Sequence, residues 1–426
     1  MRLALLSIVL PLAAARAQVD DARISALVDR HTPRSVEFRH TIHQNPELSN
    51  RETATAALVA SHLRLLGMEV RTGIAHTGVV GVLRGGRPGP VVAVRADMDA
   101  LPVTENTPFP WRSTVRTTYQ GREVGVMHAC GHDIHVAVLL GTASVLAELR
   151  ERLAGTVLFV FQPAEEGAPP GERGGAALML EEGVFSDPRP AAVFGLHTNI
   201  ELPVGVVGYT PGATFSGSMS WRATVRGRQA HAAQPNLAID PIVIASEIVL
   251  ALQTIRSRTL SPFTPSVVTV GSIHGGERRN IIPAEVQLEG TVRTFSTAVE
   301  DSVRSRMRAL FEGITQAHGA SFELHLDQGL PPVVNDSALL RRALPALQRA
   351  VGRDNVRLIG PWSASEDFSY FANVVPAFFF SLGGLAPGTT SGGHHTPTFQ
   401  ADDGAVAVGI RAMTTLVLDY MSGGNR

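Results

Sequence analysis

Four short, almost wholly apolar runs constrain the fold more than any other feature of this sequence. They span residues 91–96, 156–161, 191–196 and 377–382, and each is rich in β-branched or aromatic side chains and bounded by glycine, proline or charge. Runs of this length and composition are typical of strands that are buried on both faces. Helical patterns such as 136–149 lie between them, so we predict an α/β fold with a central mixed sheet flanked by helices.

Polar side chains follow all four apolar runs. In open α/β sheets, ligands bind outside the carboxyl ends of the strands, so these side chains are expected to converge on one site. A pair of loop carboxylates or a lone histidine is individually more typical of solvated or structural positions, and the joint pattern carries the argument. The residues are Asp97 and Asp99, Glu165 and Glu166, His197, and the pair His394 and His395.

The single cysteine, Cys130, lies in the segment VMHACGHDIHVAVLLG among three histidines. Gly131 would allow Cys130 and His132 to turn toward one point, and Asp133 is expected to cap the helix that follows. Thiolate and imidazole are both ligands of Zn²⁺ and similar ions. A buried structural cysteine is the alternative for an isolated Cys-x-His pattern, but the polar clusters at the predicted strand ends favour a metal site.

The number of candidate donors indicates two metal ions. Adjacent Glu165 and Glu166 raise each other's pKa unless one binds a cation, and the other is then free to accept a proton. Asp97 and Asp99 could be further ligands or could orient a histidine. One glutamate with the cysteine and the histidines exceeds a single tetrahedral zinc site and suits two ions that share a bridging water.

The middle of the chain follows a different pattern. Residues 213–326 alternate in the order strand–helix–strand–strand–helix–strand, with helices predicted at 242–256 and 299–318, which is the ferredoxin-like arrangement. We therefore predict an α+β lid domain over 213–326, inserted into a catalytic domain formed by residues 18–212 and 327–426.

The first residues predict export. The segment MRLALLSIVLPLAAARA has an early positive charge, an apolar run and a small-x-small ending, so we predict a signal peptide over residues 1–17 and a periplasmic or secreted protein. A retained N-terminal anchor is the alternative, and no later segment resembles a membrane span. The formal net charge of −1 gives no reason to expect a nucleic-acid partner.

Several motifs then indicate a family. The segments RADMDALPVTE, GVMHACGHDIHVAVLLG, FQPAEEG, GLHTNI, RQAHAAQP, NIIPAEVQLEGTVRTF, SEDFSYF and HHTPTF stand in the order found in the aminoacylase/carboxypeptidase G superfamily of metallopeptidases. The chain most resembles the N-acyl-amino-acid amidohydrolases, which include hippurate hydrolases and indole-acetyl-amino-acid hydrolases. The resemblance covers nearly all of the chain after the predicted signal, and it implies a catalytic domain with two divalent ions and a ferredoxin-like lid.

The resemblance also implies roles for individual residues. Glu165 would be the general base, Asp99 a supporting carboxylate, and His231 of the lid would polarise the scissile carbonyl. Asn280 and Arg293 would hold the carboxylate of the substrate. The implied metal ligands are Cys130, His132, Glu166, His197 and His395, of which His395 is preferred over its neighbour because it directly precedes the Thr-Pro of the last motif.

The implied reaction is hydrolysis of the amide bond of a small N-acyl-amino acid. A dipeptidase or carboxypeptidase of the same superfamily would keep the same ligands. A non-catalytic periplasmic metal- or solute-binding protein is an alternative of a different class, and the spare carboxylate of Glu165 argues against it. Zinc is favoured by the cysteine, with manganese, cobalt or nickel as alternatives. A homodimer or homotetramer could form through the lid, in which case His231 could act within its own chain or from a partner.

One segment departs from the family pattern. Between Glu105 and Gly125, residues 106–124 are longer than the family usually has, and they carry Trp111 and Tyr119. If this segment lies beside the cleft, it could change which acyl group is preferred.

Overall fold

The structure is a computed structural model that describes residues 20–423. The predicted signal peptide, residues 1–17, lies outside this range. The α-helices are α1 (Asp21–Gln44), α2 (Thr53–Leu65), α3 (His132–Glu148), α4 (Gly175–Glu181), α5 (Pro241–Thr254), α6 (Thr297–Ala317), α7 (Ser337–Val351), α8 (Ser369–Ala372) and α9 (Gly404–Met421). The strands are β1 (Glu69–Ile74), β2 (Gly78–Arg84), β3 (Arg87–Asp97), β4 (Arg116–Tyr119), β5 (Arg122–Gly125), β6 (Ala154–Gln162), β7 (Ala192–Pro203), β8 (Val207–Tyr209), β9 (Gly212–Phe215), β10 (Gly217–Arg226), β11 (Ala230–His231), β12 (Ser266–His274), β13 (Ile281–Ile282), β14 (Glu285–Thr294), β15 (Ser321–Leu326), β16 (Val333–Asn335), β17 (Val356–Leu358) and β18 (Ala377–Leu385).

The catalytic domain is built on an eight-stranded mixed sheet in the order β1-β2-β6-β3-β7-β18-β8-β17. The four predicted strands form its centre, where β6, β3, β7 and β18 pair in parallel. They are buried on both faces, which explains why their sequences are continuously apolar rather than alternating. The predicted fold class is confirmed. Because these strands are parallel, their carboxyl ends lie at one edge of the sheet.

Helices cover both faces of this sheet. On one face, α3 packs against the sheet and against α1 and α9, and its residues from His132 to Leu146 are buried. On the other face, Met179 of α4 and Phe371 of α8 join a core that includes Phe379 of β18. Burial of each such large apolar side chain stabilises the fold by roughly 1.5–3 kcal/mol.

Helix α9 is the one described helix that is long and apolar enough to cross a membrane by length and composition. Its apolar character has another explanation, because 61% of that stretch is buried inside the protein. The helix packs against α1, α3 and α7.

The lid is a four-stranded antiparallel sheet in the order β12-β14-β10-β15. Helices α5 and α6 pack on it around a separate core that includes Trp221, Ile248 and Phe311. Strand β10 alternates between buried and more exposed residues, as expected for a strand with one covered face. This strand order is that of the ferredoxin-like fold. The elements of the lid fall inside the predicted segment 213–326, whose exact limits remain a prediction.

The first turn of α3 corrects one expectation. The helix begins at His132, and Gly131 precedes it in a left-handed conformation with φ of 93° and without a side-chain cap. Asp133 therefore lies inside the helix instead of capping it. Its carboxylate binds the side chains of Arg39, at 3.1 Å, and His43, at 3.0 Å, both from α1. These tertiary partners determine its position.

Arg39 joins distant parts of the chain. It is 1% exposed, and besides Asp133 it donates hydrogen bonds to the backbone carbonyl of Ala401, at 2.7 Å, and to Asp403, at 2.6 Å. A buried guanidinium that is fully paired is costly to disrupt, since removing it leaves the carboxylates without a partner. Arg39 thus ties α1 to the start of α3 and to the segment that precedes α9.

Candidate metal centre and active site

The predicted donors gather at the carboxyl edge of the central sheet. Asp97 ends β3 and Asp99 follows it, while Glu165 and Glu166 lie in the turn after β6. His197 lies within β7. Cys130 and His132 lie at the start of α3, and His394 and His395 come from the loop between β18 and α9.

The five predicted metal ligands approach one another closely. Cys130 Sγ lies 3.4 Å from His197 Nε2, and Glu166 Oε1 lies 3.0 Å from His395 Nε2 and 3.9 Å from His132 Nε2. Potential ligand atoms of Cys130, His132 and His197 all lie within 4.8 Å of one another, as do those of Cys130, Glu166 and His395. We call Cys130, His132, Glu166, His197 and His395 the donor cluster.

Two buried atoms of the donor cluster show that a cation fits it. His132 Nδ1 donates to the backbone carbonyl of Asp99, at 2.8 Å, so Nε2 carries the free lone pair. Within the described part of the chain, neither His132 Nε2 nor Glu166 Oε1 has a hydrogen-bond partner, although both are buried. The short separation between Glu166 and His395 is not an aligned hydrogen bond. Unpartnered buried acceptors are costly, and a metal ion would satisfy both.

The charge of the surroundings is also compatible with bound cations. Burial and the nearby Glu166 and Glu165 carboxylates raise the pKa of the Cys130 thiol well above its usual value. Burial and the carboxylates of Glu366 and Glu166 likewise raise the pKa of Glu165 well above the usual range. Positive charge held among these groups would reverse both effects and keep the cysteine as a thiolate.

Asp99 positions both the donor cluster and the predicted base. Its carboxylate accepts hydrogen bonds from the backbone N–H of Glu165, at 3.1 Å, from that of Glu166, at 3.0 Å, and from the hydroxyl of Ser49, at 2.7 Å. Its own backbone carbonyl fixes the His132 ring. Of the two alternatives for this aspartate, ligand or orienting group, the geometry favours the orienting one.

Asp97 belongs to a neighbouring network, where it orients a histidine, one of the two alternatives predicted for it. It accepts from His135 Nδ1, at 2.6 Å, and from Arg95, at 2.8 Å, while His135 Nε2 accepts the backbone N–H of Thr198, at 2.8 Å. Both ring nitrogens of His135 are thus occupied. The sequence signal for this histidine was its position three residues after His132, which places the two rings on one side of α3.

The SEDFSYF motif, to which no role had been given, supports the predicted base. Glu366 accepts from Arg95, at 2.9 Å, and the backbone N–H of Asp367 donates to Glu165 Oε1, at 3.3 Å. Burial raises the pKa of Asp367 to about 7 despite the attraction of Arg95. Glu165 therefore lies among buried acidic groups, and the backbone of Asp367 holds its carboxylate.

The two histidines of the final motif have different surroundings. His394 packs against Trp362, with ring centroids 5.1 Å apart, and its Nδ1 lies 3.7 Å from Cys130 Sγ. His395 has a left-handed backbone with φ of 63°, which directs its ring to Glu166. Such a conformation is uncommon for a residue with a side chain and is found at functional sites. It favours His395 as the ligand.

The three predicted lid residues do not join the donor cluster. His231 is exposed on β11, where its Nδ1 accepts the backbone N–H of Ala233 at 3.0 Å. Asn280 is exposed beside it, just before β13. Arg293 is half-buried on β14, where burial lowers its pKa. Among the described residues, the contacts of these three side chains lie within the lid.

A match to a family model identifies the family of this chain. The model described as "Peptidase family M20/M25/M40" matches residues 93–419. The chain belongs to this family. A similar protein is "IAA-amino acid hydrolase ILR1-like 2" of Arabidopsis thaliana, 35% identical over 91% of this chain and 85% of that protein. "N-acetyl-L-cysteine deacetylase" of Bacillus subtilis is 37% identical over 87% of this chain and 84% of that protein.

A solved structure of the M20 family is also similar. The Bacillus subtilis YXEP protein, described as a dinuclear metal binding peptidase, has a TM-score of 0.79 and 33% identity over 92% of this chain and 99% of that one. The M20 chain described here is therefore a metal-dependent amidohydrolase, as predicted. Membership of the M20 family also decides for an enzyme over a non-catalytic binding protein.

Proposed function

We propose that this M20 enzyme hydrolyses the amide bond of N-acyl-amino acids with the help of two divalent metal ions. The observation that carries the proposal is the gathering of the five-residue donor cluster beside a further carboxylate, Glu165, which it does not need. The similar plant and bacterial proteins are named for N-acyl-amino-acid substrates, and a similar solved structure is described as dinuclear.

Each residue of the centre has a separate task in this proposal. Cys130, His132, Glu166, His197 and His395 hold the ions. Two bound divalent ions would supply Lewis acidity and lower the pKa of water in the site. Glu165 accepts a proton from the attacking water and returns it to the leaving amine nitrogen. Asp99 orients Glu165 through its side-chain oxygens and His132 through its backbone carbonyl oxygen.

The lid completes the site. His231 would donate a hydrogen bond to the scissile carbonyl oxygen, while Asn280 and Arg293 would bind the carboxylate of the amino acid. These groups contact only the lid in the present arrangement, so either the lid closes over the substrate or a partner chain supplies them. Gly329, with φ of 68°, lies where the chain leaves the lid, and its lack of a side chain suits it to such a movement.

The surface of the lid supports self-association. Val243 and Leu250 of α5 are 55% and 72% exposed, and Val267 lies on the edge strand β12 with 46% exposure. An apolar helix face beside an open strand edge is a common way to form a dimer. We propose a homodimer or homotetramer that forms through the lid.

The nature of the metal and the location of the protein are proposals from the sequence. The thiolate favours zinc, and manganese, cobalt or nickel also suit the remaining donors. The predicted signal peptide places the enzyme in the periplasm or outside the cell.

A substrate panel with metal analysis tests the proposed function. Purified protein would be assayed with N-acetyl- and N-benzoyl-amino acids and with dipeptides, before and after exhaustive chelation. We expect hydrolysis of the N-acyl-amino acids, loss of activity on chelation and two bound ions per chain in the active sample. Cleavage of dipeptides alone would favour the dipeptidase alternative, and activity without bound metal would contradict the proposal.

A further inference from the structure

A cavity of about 680 Å³ opens beside the donor cluster. Glu166 is one of the lining residues, and the other walls come from residues 46–49, 100–102, 115–120, 169–170 and from Arg51, Val126 and Gly167. These segments all belong to the catalytic domain. Within the described chain, no lid residue lines this cavity, so it is separate from the side where the lid would hold the substrate carboxylate. Its volume is in the range of pockets that bind drug-sized ligands.

The walls of the cavity are mostly uncharged. Leu48, Leu101, Pro102, Val115 and Tyr119 contribute apolar or aromatic surface. A group that enters this space would leave water for apolar contacts, which favours an apolar occupant.

The charged residues of the cavity already have partners. The Glu47 carboxylate accepts the backbone N–H groups of Ala54, at 2.9 Å, and Thr55, at 2.8 Å, at the start of α2. Arg51 pairs with Glu172 and Arg116 pairs with Glu123, both at 2.5 Å. Apart from Glu166, which belongs to the donor cluster, each described ionic side chain in the walls thus has a partner of its own.

One wall is the segment that departs from the family pattern. Strands β4 and β5 form a hairpin, and the two residues of its turn, Gln120 and Gly121, have φ of 49° and 76°. Positive φ at both positions is the signature of a tight hairpin turn whose twist matches the strands. Residues 115–120 face the cavity, while Arg122 on β5 is exposed and does not line it.

The base of this hairpin is held firmly. The Glu105 carboxylate accepts the backbone N–H of Ser113, at 2.6 Å, and lies 3.2 Å from His43 Nε2. Trp111 stacks on Phe109, with ring centroids 4.2 Å apart, and on His40 of α1, at 4.3 Å. These contacts fix the segment that leads into the hairpin.

We propose that this cavity binds the acyl group of the substrate and is built for an aryl or medium-chain acyl group. This inference rests on the proposed function. The scissile carbonyl must lie at the donor cluster, and the amino-acid carboxylate is directed to the lid. The acyl group then lies in the cavity that Glu166 lines and the lid does not, and Thr117 and Tyr119 of the hairpin determine which acyl groups fit.

The test compares N-acetyl-, N-benzoyl- and N-octanoyl-methionine as substrates of the full-length, metal-loaded enzyme. The variants are Thr117→Trp, which fills the cavity from an exposed strand position, Tyr119→Ala, which removes its aromatic side chain, and Arg122→Ala as the matched control across the same turn. We expect the unsubstituted enzyme to prefer the two large acyl groups over acetyl by about tenfold or more in kcat/KM.

Thr117→Trp and Tyr119→Ala should each reduce the ratio of kcat/KM for the large acyl groups to kcat/KM for acetyl about tenfold, whereas Arg122→Ala should leave this ratio unchanged. Melting temperatures would verify that each variant is folded. Unchanged preferences in both cavity variants, or an equal loss on all three substrates, would overturn the inference while leaving the proposed function intact. If none of the three substrates were hydrolysed, the proposed function would be contradicted, and the inference with it.

Discussion

The donor cluster and the three lid residues differ in how firmly their side chains are held before a substrate binds. Cys130, His132 and His197 are buried at the carboxyl ends of the parallel strands, whereas Glu166 is partly buried and His395 is exposed. Backbone carbonyl groups fix the His132 and His197 rings, and Asp99 holds the backbone of Glu166. His231 and Asn280 are exposed, and Arg293 is half-buried, all in a domain with its own core. In the proposed mechanism, the groups that hold the metal ions lie at the sheet, and the groups that bind and release the substrate lie on the lid.

The largest effect is expected from removing the proposed base. Glu165→Gln keeps the size of the side chain but cannot accept the proton, so kcat should fall about 10²–10⁴-fold. Metal content, measured by elemental analysis, should stay unchanged because Glu165 lies outside the donor cluster. Glu172→Gln, an exposed carboxylate seven residues later, is the control. Retained turnover in Glu165→Gln would refute the assignment.

Substitution of His231 examines the lid. His231→Ala should lower kcat about 10²-fold, since one donor to the developing oxyanion is lost, with metal content unaffected. His325→Ala, another exposed lid histidine, should have little effect.

Mixing inactive Glu165→Gln and His231→Ala proteins then tells which chain provides the histidine. If His231 acts from a partner chain, mixed oligomers regain activity because some sites receive both residues. If it acts within its own chain, mixing restores nothing, and lid closure becomes the explanation. Full activity in His231→Ala would remove this residue from the mechanism.

Substitution of Asp99 tests whether the donor cluster depends on the hydrogen bonds that this residue makes. Asp99→Asn loses an acceptor for the N–H groups of Glu165 and Glu166, so metal affinity should fall about 10–100-fold, as measured by competition with a chelating dye. Ser49→Ala removes only one of the hydrogen bonds to Asp99 and should have a smaller effect. Equal affinities in all three proteins would mean that the cluster does not depend on this support.

The smallest predicted effect concerns the stability of the fold and a histidine that lies outside both the donor cluster and the lid. Burial lowers the pKa of His62, on α2, to about 4. The unfolded chain binds a proton at this residue below pH 6.5, where the folded chain does not, so stability should fall as the pH decreases from 6.5 toward 4. The melting temperature should fall between pH 6.5 and 4, and in His62→Gln this decrease should be smaller by about 2–4 °C. The exposed control His274→Gln should show the full decrease. An identical pH profile for His62→Gln would contradict the assignment.

The parts that could be predicted from the sequence depend on local patterns. The central strands were identifiable because buried parallel strands are continuously apolar, and the lid because its strands and helices alternate in a known order. The donors were identifiable because parallel strands bring their carboxyl ends together. The hairpin was not predicted, although the dipeptide Gln120-Gly121 between polar β-forming residues was an available signal.

The missed parts depend on contacts between distant residues. Arg95 binds Glu366, 271 residues away, and His135 binds Asp97, 38 residues away. No local period encodes such pairs. Asp133 had the right residue type for a helix cap, but its partners in α1 lie 90 and 94 residues earlier and place it inside the helix.

The contacts of Arg39 have a consequence for the order in which parts of the protein can fold during translation. Helix α1 leaves the ribosome well before Ala401 and Asp403, which Arg39 contacts, because these residues lie 362 and 364 positions later in the sequence. The lid, whose strands and helices all lie between residues 217 and 326, can fold as a unit while the rest of the polypeptide is still being extended. A nascent chain stalled before residue 400 would therefore carry a finished lid on an unfinished catalytic domain.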